Sequence, residues 1–390
     1  MKSLSKKLSQ FFNSDTSKIV QALLIATIVL VCVLYQYGER YGYRVSGFIC
    51  LGDKFIPPEG LERGMVVYRN CPGYDGQFFY YIALNPFGDL RDYRHIDSPA
   101  WRYQRIGYPL LAWLFALGNK SAVPYTLLLV NLLSILFSTY LISILLTEQK
   151  LDPRYAVLFA VSGTLIYPLL RDLAEITSAA FLIAGFFFYA RRRFVISGLL
   201  LGYAMLCREV IFAVVPVLIL DWLVLNREKK AWLTPLLASF MMFGWHLYVA
   251  LHLDAGRYPF GMALGLPGVA LLNHLEQIFL RRDYVPVSER IALITTVLII
   301  LTSMGTAVKD FVQSKNGLSI CLFGFSALPL VLGAPQWAEP WGYARMLVPS
   351  LALLFLCFAR SRSKTYLVPM CLHTLLFFAS LSYVGVIYRY

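Results

Sequence analysis

The chain reads as an all-α, polytopic membrane protein. Three observations carry that reading: 58% of its 390 residues are hydrophobic and 15% charged, apolar runs of spanning length recur from end to end, and its cations gather in short clusters between those runs. A net charge of +13 would point a soluble protein toward nucleic acid. Cations placed between apolar runs follow the positive-inside rule instead, so no nucleic-acid partner is expected and the lipid bilayer is.

The first run, residues 19–37, follows Lys2, Lys6, Lys7 and Lys18 and has no small-residue cleavage site. It is expected to stay as a helix, with the amino terminus in the cytoplasm. Further anchors are Lys150 with Arg154, Arg191 to Arg193, Arg227 with Lys229 and Lys230, Lys309 with Lys315, and Arg360 with Arg362 and Lys364. Threading the remaining runs between these anchors gives spans near 123–146, 155–170, 177–190, 195–206, 210–225, 232–253, 291–308, 318–333, 346–359 and 365–388. About eleven spans result, in one domain covering 1–390. Sixteen of the 22 acids then face the exoplasmic side.

Two stretches, 155–190 and 195–225, have cations at both feet and a charged apex, Arg171-Asp172 with Glu175 in one and Arg208-Glu209 in the other. Each is expected to form a broken hairpin. Arms of about 12 to 16 residues fall short of the ~20 that cross ~30 Å of hydrocarbon, so the apices should be recessed and line a polar cavity.

The largest loop, 38–122, is exoplasmic in this topology. Its segment 74–108 packs four acids and four arginines among aromatics. Residues 78–87 suit an interfacial helix lying in the headgroup layer. Asp75 precedes that helix at the level where a lipid-linked substrate presents its head group. A carboxylate there serves as a general base if partial burial lifts its pKa toward neutrality; it serves equally as a helix cap or turn residue. Arg102 and Arg105 lie three apart, on one face if helical, and a pair of guanidinium forks grips phosphate. Anchoring of a helix end explains them as well. Arg345 opens a late exoplasmic-side helix and offers a further phosphate contact or an edge anchor. Asp89, Asp92 and Asp97 are weaker candidates, with Asp97-Ser98-Pro99 in the form of a helix start. Asp172 and Glu175 need a cation, a metal or a substrate hydroxyl as partner if their apex is recessed, and an exposed loop tip explains them equally.

His246 and His252 lie six apart and no HxxxH or HExxH spacing occurs, so no metal site is expected. Of seven cysteines, Cys50 and Cys71 share the exoplasmic loop, where a disulfide and two free thiols are both open.

Tyr74-Asp75-Gly76-Gln77, Tyr103-Gln104-Arg105 leading to Pro109, Asp172 to Glu175, and Tyr343-Ala344-Arg345 to Pro349 together resemble the GT-C superfamily of integral-membrane glycosyltransferases. The likeness is to the bacterial cell-surface glycopolymer type and, more distantly, to the PIG-V mannosyltransferases. It spans most of the chain, and each motif alone is weakly specific. The resemblance implies a polyprenyl-phosphate sugar donor, a lipid-linked or surface glycan acceptor, and one inverting displacement at an exoplasmic site in a bacterial inner membrane. Asp75 matches the family's base and Arg345 its donor-phosphate ligand. Tyr74, Gln77, Tyr103, Asp172 and Glu175 are the expected sugar or acceptor contacts. Some relatives hold a divalent cation, but the adjacent acid pair often seen there is missing. Two other classes remain as competing expectations. One is a transporter or flippase of a lipid-linked saccharide, against which stand the absence of an inverted repeat and the one-sided charge. The other is a non-catalytic envelope scaffold.

Overall fold

A computed structural model describes residues 14–57, 61, 63–87, 95–225, 228–253, 264–280 and 286–383, and most of these are helical. Helix α1 (Asp15–Gly38) starts where the Ser14 hydroxyl accepts the Ser17 N–H. Its buried residues Ala22, Ala26, Leu30, Val33 and Tyr37 recur every three or four positions, which is one helical stripe. Leu24, Ile28 and Val31, on the other faces, are exposed, as lipid-facing positions should be. In the loop that follows, a two-residue parallel ladder pairs Leu51 with Val67 and Gly52 with Tyr68. After it come α2 (Asp75–Leu84), α3 (Pro99–Tyr103) and α4 (Gly107–Ala116).

The bundle continues with α5 (Val123–Glu148), a broken arm ending in α6 (Gly163–Leu169), α7 (Glu175–Ala190), α8 (Phe194–Cys207), α9 (Val214–Leu220) and α10 (Leu233–His252). It closes with α11 (Val269–Phe279), α12 (Val287–Ser314), α13 (Gly317–Ala327), α14 (Pro340–Arg345), α15 (Val348–Ser361) and α16 (Leu367–Tyr383). Among the described residues, five segments are long and apolar enough to cross a membrane, 15–41, 120–148, 233–252, 287–314 and 342–361. Five further apolar helices are shorter, at 10–17 residues. This is an integral membrane architecture. Helix α15 lies at its centre, with every residue from Val348 to Ala359 buried.

Two local expectations change. The arm over 155–170 is not one helix: the Ser162 hydroxyl caps a new start by accepting the Thr164 N–H, and Gly163 lies against the α16 backbone, where a Cβ would come within 2.3 Å of Leu376 and Phe377. Helix α2 is covered by protein instead of lying on the molecular surface. Gly76 through Ala83 are all buried, because α2 packs against α4 and α5 and under the ladder. Phe79, Tyr80 and Ile82 are at most 1% exposed, and such side chains each contribute roughly 2 kcal/mol on leaving water. Helix α11, with Ala270, Leu271, His274 and Ile278 buried, is an element the apolar runs do not announce.

The basic clusters converge on one end of the bundle. Arg191 pairs with Glu148, Arg192 with Glu228 at 2.9 Å, and Arg362 donates to Gln149 at 2.7 Å, which ties together the turns after α5, α7, α9 and α15. The apices Arg171, Asp172, Glu175 and Arg208 lie at the opposite end of α7 and α8, each at most 5% exposed. Helix α7 has 16 residues, so ~24 Å separates Glu175 from the basic end, less than the ~30 Å thickness of a hydrocarbon core. The apices are buried within the bundle.

Candidate functional site

Asp75 is the first residue of α2, after an extended Tyr74, so the helix amino terminus favours its charge. Gly76 fixes its depth: a Cβ there would fall 2.2 Å from the Arg171 carbonyl oxygen and 2.7 Å from that of Ile49. The Asp-Gly pair is therefore a point of close backbone approach and not a hairpin turn.

Two arginines from distant parts of the chain hold the Asp75 carboxylate. Arg102 Nη1 lies 2.8 Å from Oδ1, and Arg345 Nη1 lies 2.6 Å from Oδ2. Arg102, on α3, also forks onto Asp97, with Nε to Oδ1 and Nη2 to Oδ2 both at 2.8 Å, and its guanidinium sits 4.4 Å from the Phe78 ring centre. Arg345 ends α14 and stands over the Tyr74 ring at 5.3 Å, with Nε 3.8 Å from Glu175 Oε1. Glu175 opens α7, and its Oε1 is 3.5 Å from Arg208 Nη2. Arg105 completes the group with a fork onto Glu209 at 2.8 and 2.6 Å, its guanidinium 4.4 Å from the Trp101 ring centre. Four arginines thus meet four carboxylates.

Comparison with protein-family models, curated proteins and solved structures finds no match to this chain.

The pairing is uneven. Asp75, Asp97 and Glu209 are engaged by short hydrogen bonds, whereas the buried Glu175 carboxylate makes none, and Nε of Arg208 and of Arg345 also lack a hydrogen-bond partner. These loose groups share one small cleft. Glu175, Ser178, Arg208 and Arg345 form its polar side; Val210, Leu328, Met346 and Pro349 form its apolar side. Its free volume of about 10 Å³ is room for about one water.

Burial alone would raise the Asp75 pKa, but Arg102 and Arg345 outweigh it and hold the carboxyl far below the usual range. The expectation of a base lifted toward neutrality is overturned in this arrangement, because two guanidinium groups reach the same carboxylate. Glu209 follows suit: burial pushes its carboxyl up, and Arg105 and Arg208 bring it well below. Asp172 is the reverse case. It is fully buried in a left-handed turn (φ 47°), neither carboxyl oxygen has a hydrogen-bond partner, and burial pushes its pKa well above the usual range.

Of the residues singled out from sequence, the structure brings together Asp75, Arg102, Arg345, Glu175 and Tyr74, with Arg105 alongside through Glu209 and Arg208. Arg102 and Arg105 are forked onto carboxylates and lie outside the cleft lining, whereas Arg345 lines it. Gln77 is a strut: its Nε2 donates to the Pro72 carbonyl at 2.6 Å and its Oε1 accepts the Gly52 N–H at 3.0 Å. Tyr103 is buried beside α10, and its carbonyl accepts Trp245 Nε1 at 2.7 Å. Neither Tyr103, Gln77 nor Asp172 lines the cleft. Asp89 and Asp92 lie outside the described residues. Cys50 and Cys71 are both free thiols. Among the described residues, no three His, Cys, Asp or Glu side chains converge in a way that suits a metal ion.

Arg208 is the site residue that sequence reasoning passed over. Its signal was present as an Arg-Glu pair interrupting an apolar run, which otherwise served only to place a hairpin apex.

Proposed function

We propose that this chain is a membrane glycosyltransferase that draws its sugar from a polyprenyl-phosphate donor at the recessed arginine and carboxylate site. The observation that carries the reading is the Asp75 carboxylate shared between Arg102 and Arg345, with Arg345 also reaching the cleft beside Glu175 and Arg208. In this reading the short apolar helices complete about eleven crossings. The basic end faces the cytoplasm of a bacterial cell, and the site opens to the exoplasmic leaflet of its inner membrane.

The donor phosphodiester carries one negative charge and sits at Arg345 and Arg208, its isoprenoid against Val210, Leu328 and Pro349. The cleft is too small for this as it stands. Entry requires Arg345 to leave Asp75 and turn its fork to the phosphate, which removes one of the two cations that depress the Asp75 pKa. Donor binding thereby makes the base more basic. Asp75 then takes the proton of an acceptor hydroxyl as that oxygen attacks the anomeric carbon from the face opposite the phosphate. The bond from anomeric carbon to phosphate oxygen breaks, and its electron pair leaves on polyprenyl phosphate, now doubly charged. Arg345 and Arg208 stabilise that second charge as it develops, where fixed donors act most strongly. Asp75 afterwards gives its proton to water.

Asp75→Asn keeps an oxygen for an arginine but removes the base. In purified membranes supplied with polyprenyl-phosphate sugars and glycan acceptor, the variant is expected to bind donor and transfer no sugar. Transfer near the wild-type rate would remove Asp75 from the mechanism. Intact-mass comparison of surface glycans with and without the chain, showing one missing sugar, identifies the donor class.

A further inference from the structure

Two cavities lie at the other end of the bundle, away from the ionic cleft. One of about 290 Å³ is bounded by Tyr189, Arg192, Asp221 and Glu228, and one of about 530 Å³ by Leu145, Glu148, Arg191 and Leu356. They are neighbours with a common wall, since Phe186, Ala190, Leu318 and Arg360 line both. The lining is mixed: aliphatic and aromatic surface from α7, α13 and α15, with a charged rim.

On the larger cavity's wall Arg191 and Arg360 face Glu148 alone, whereas on the smaller one's Arg192 and Arg360 balance Asp221 and Glu228. Glu148 is taken by Arg191, Glu228 by Arg192, and Asp221 accepts the Tyr189 hydroxyl at 2.7 Å. The two walls together carry three cations and three acids, and the net positive charge lies on the larger cavity's wall. Arg360, in the last turn of α15, takes part in no hydrogen bond or ion pair with the described residues, while Asp221 lies against Gly317 at the start of α13. A cavity whose free cation stands over apolar walls between short helices suits a ligand with one anionic head and a hydrocarbon tail. Basic pockets between transmembrane helices on the positively flanked side are where phospholipid head groups bind. In the larger cavity a zwitterionic head brings its ammonium toward Arg191, so the charge balance of that wall favours an anionic lipid.

We propose that this double cavity holds an anionic glycerophospholipid, its phosphodiester on Arg360 and an acyl chain against Phe186, Leu318 and Leu356. The site is independent of the glycosyl-transfer reading and stands or falls separately from it.

The test is native mass spectrometry with thermal unfolding of the full chain in detergent, on titration with phosphatidylglycerol, phosphatidylethanolamine or inorganic phosphate. Phosphatidylglycerol is expected to stay bound and to raise the unfolding temperature, with little effect from the other two. Arg360→Gln should weaken phosphatidylglycerol about tenfold, the scale of one lost charge-assisted hydrogen bond. Arg362→Gln, a neighbour held by Gln149, should leave binding unchanged. Leu318→Trp, which fills the apolar wall and keeps the charge, should also lose the lipid. Wild-type lipid retention by both Arg360→Gln and Leu318→Trp, equal protection by phosphatidylethanolamine, or the same shift from inorganic phosphate alone would each overturn the proposal.

Discussion

The two ends of the bundle hold arginine and carboxylate groups in similar numbers and use them differently. At the basic end, Arg192 and Glu228 pair with side chains 73% and 37% exposed, in contact with the aqueous boundary. At the recessed end, Arg102 and Asp75 pair at 6% and 16%, and Glu175 at 4% lies between two guanidinium groups without a hydrogen bond to either. Exposed pairs are screened and contribute about 0 to 1 kcal/mol, whereas removing one partner of a buried pair leaves a charge with nowhere to go, at about 3 to 5 kcal/mol. The same residue types therefore orient helices at one end and store an imbalance at the other.

The sharpest way to break this contrast is Arg345→Ala. It strips a cation from Asp75 and from Glu175 at once, and should lower stability by about 3 to 5 kcal/mol in thermal or denaturant unfolding. A loss no larger than that of a surface arginine would mean the recessed end is wetter than its geometry implies. Gly76→Ala comes next, at about 1 to 3 kcal/mol for forcing a methyl group against the Arg171 carbonyl. It should also shift Asp75 away from Arg102, read as lost transfer activity in correctly inserted protein; retained activity would show that α2 tolerates a different depth.

Asp172→Asn sharpens the contrast through pH. The folded chain keeps the Asp172 proton where an unfolded carboxyl has lost it, so wild-type stability falls as pH rises above about 4, by up to about 1.4 kcal/mol per unit until the folded pKa is passed. The asparagine variant does not titrate and should gain on wild type between pH 5 and pH 8. A constant gap across that range would mean Asp172 is ionised in place. The smallest effect belongs to Arg192→Ala, expected within about 1 kcal/mol. A larger loss would show the basic end to be structural as well.

Much of the architecture was legible because lipid imposes long apolar runs and confines cations to their ends; α1 and α5 can be read almost residue by residue. The short arms that carry the charged apices into the bundle were legible too, since α7 has sixteen residues where a full crossing takes ~20. The burial of α2 was not. Its aromatics show no helical stripe, and only the close approach of Gly76 to a turn nearly a hundred residues away draws it inside. Pairing was hidden for the same reason: nothing local ties Asp75 to Arg345 across 270 positions. Asp97 looked like the start of a helix and is also the second carboxylate on Arg102. Arg208 was visible as an interruption but had no visible partner.

The shortness of α7 reaches beyond the protein. In the orientation proposed above, with Arg191 to Arg193 at one leaflet, the sixteen residues of α7 set the depth of Glu175, and the bilayer must thin or the bundle must tilt to keep water in contact with it. On that reading, acyl chain length in the surrounding membrane governs how readily the cleft hydrates.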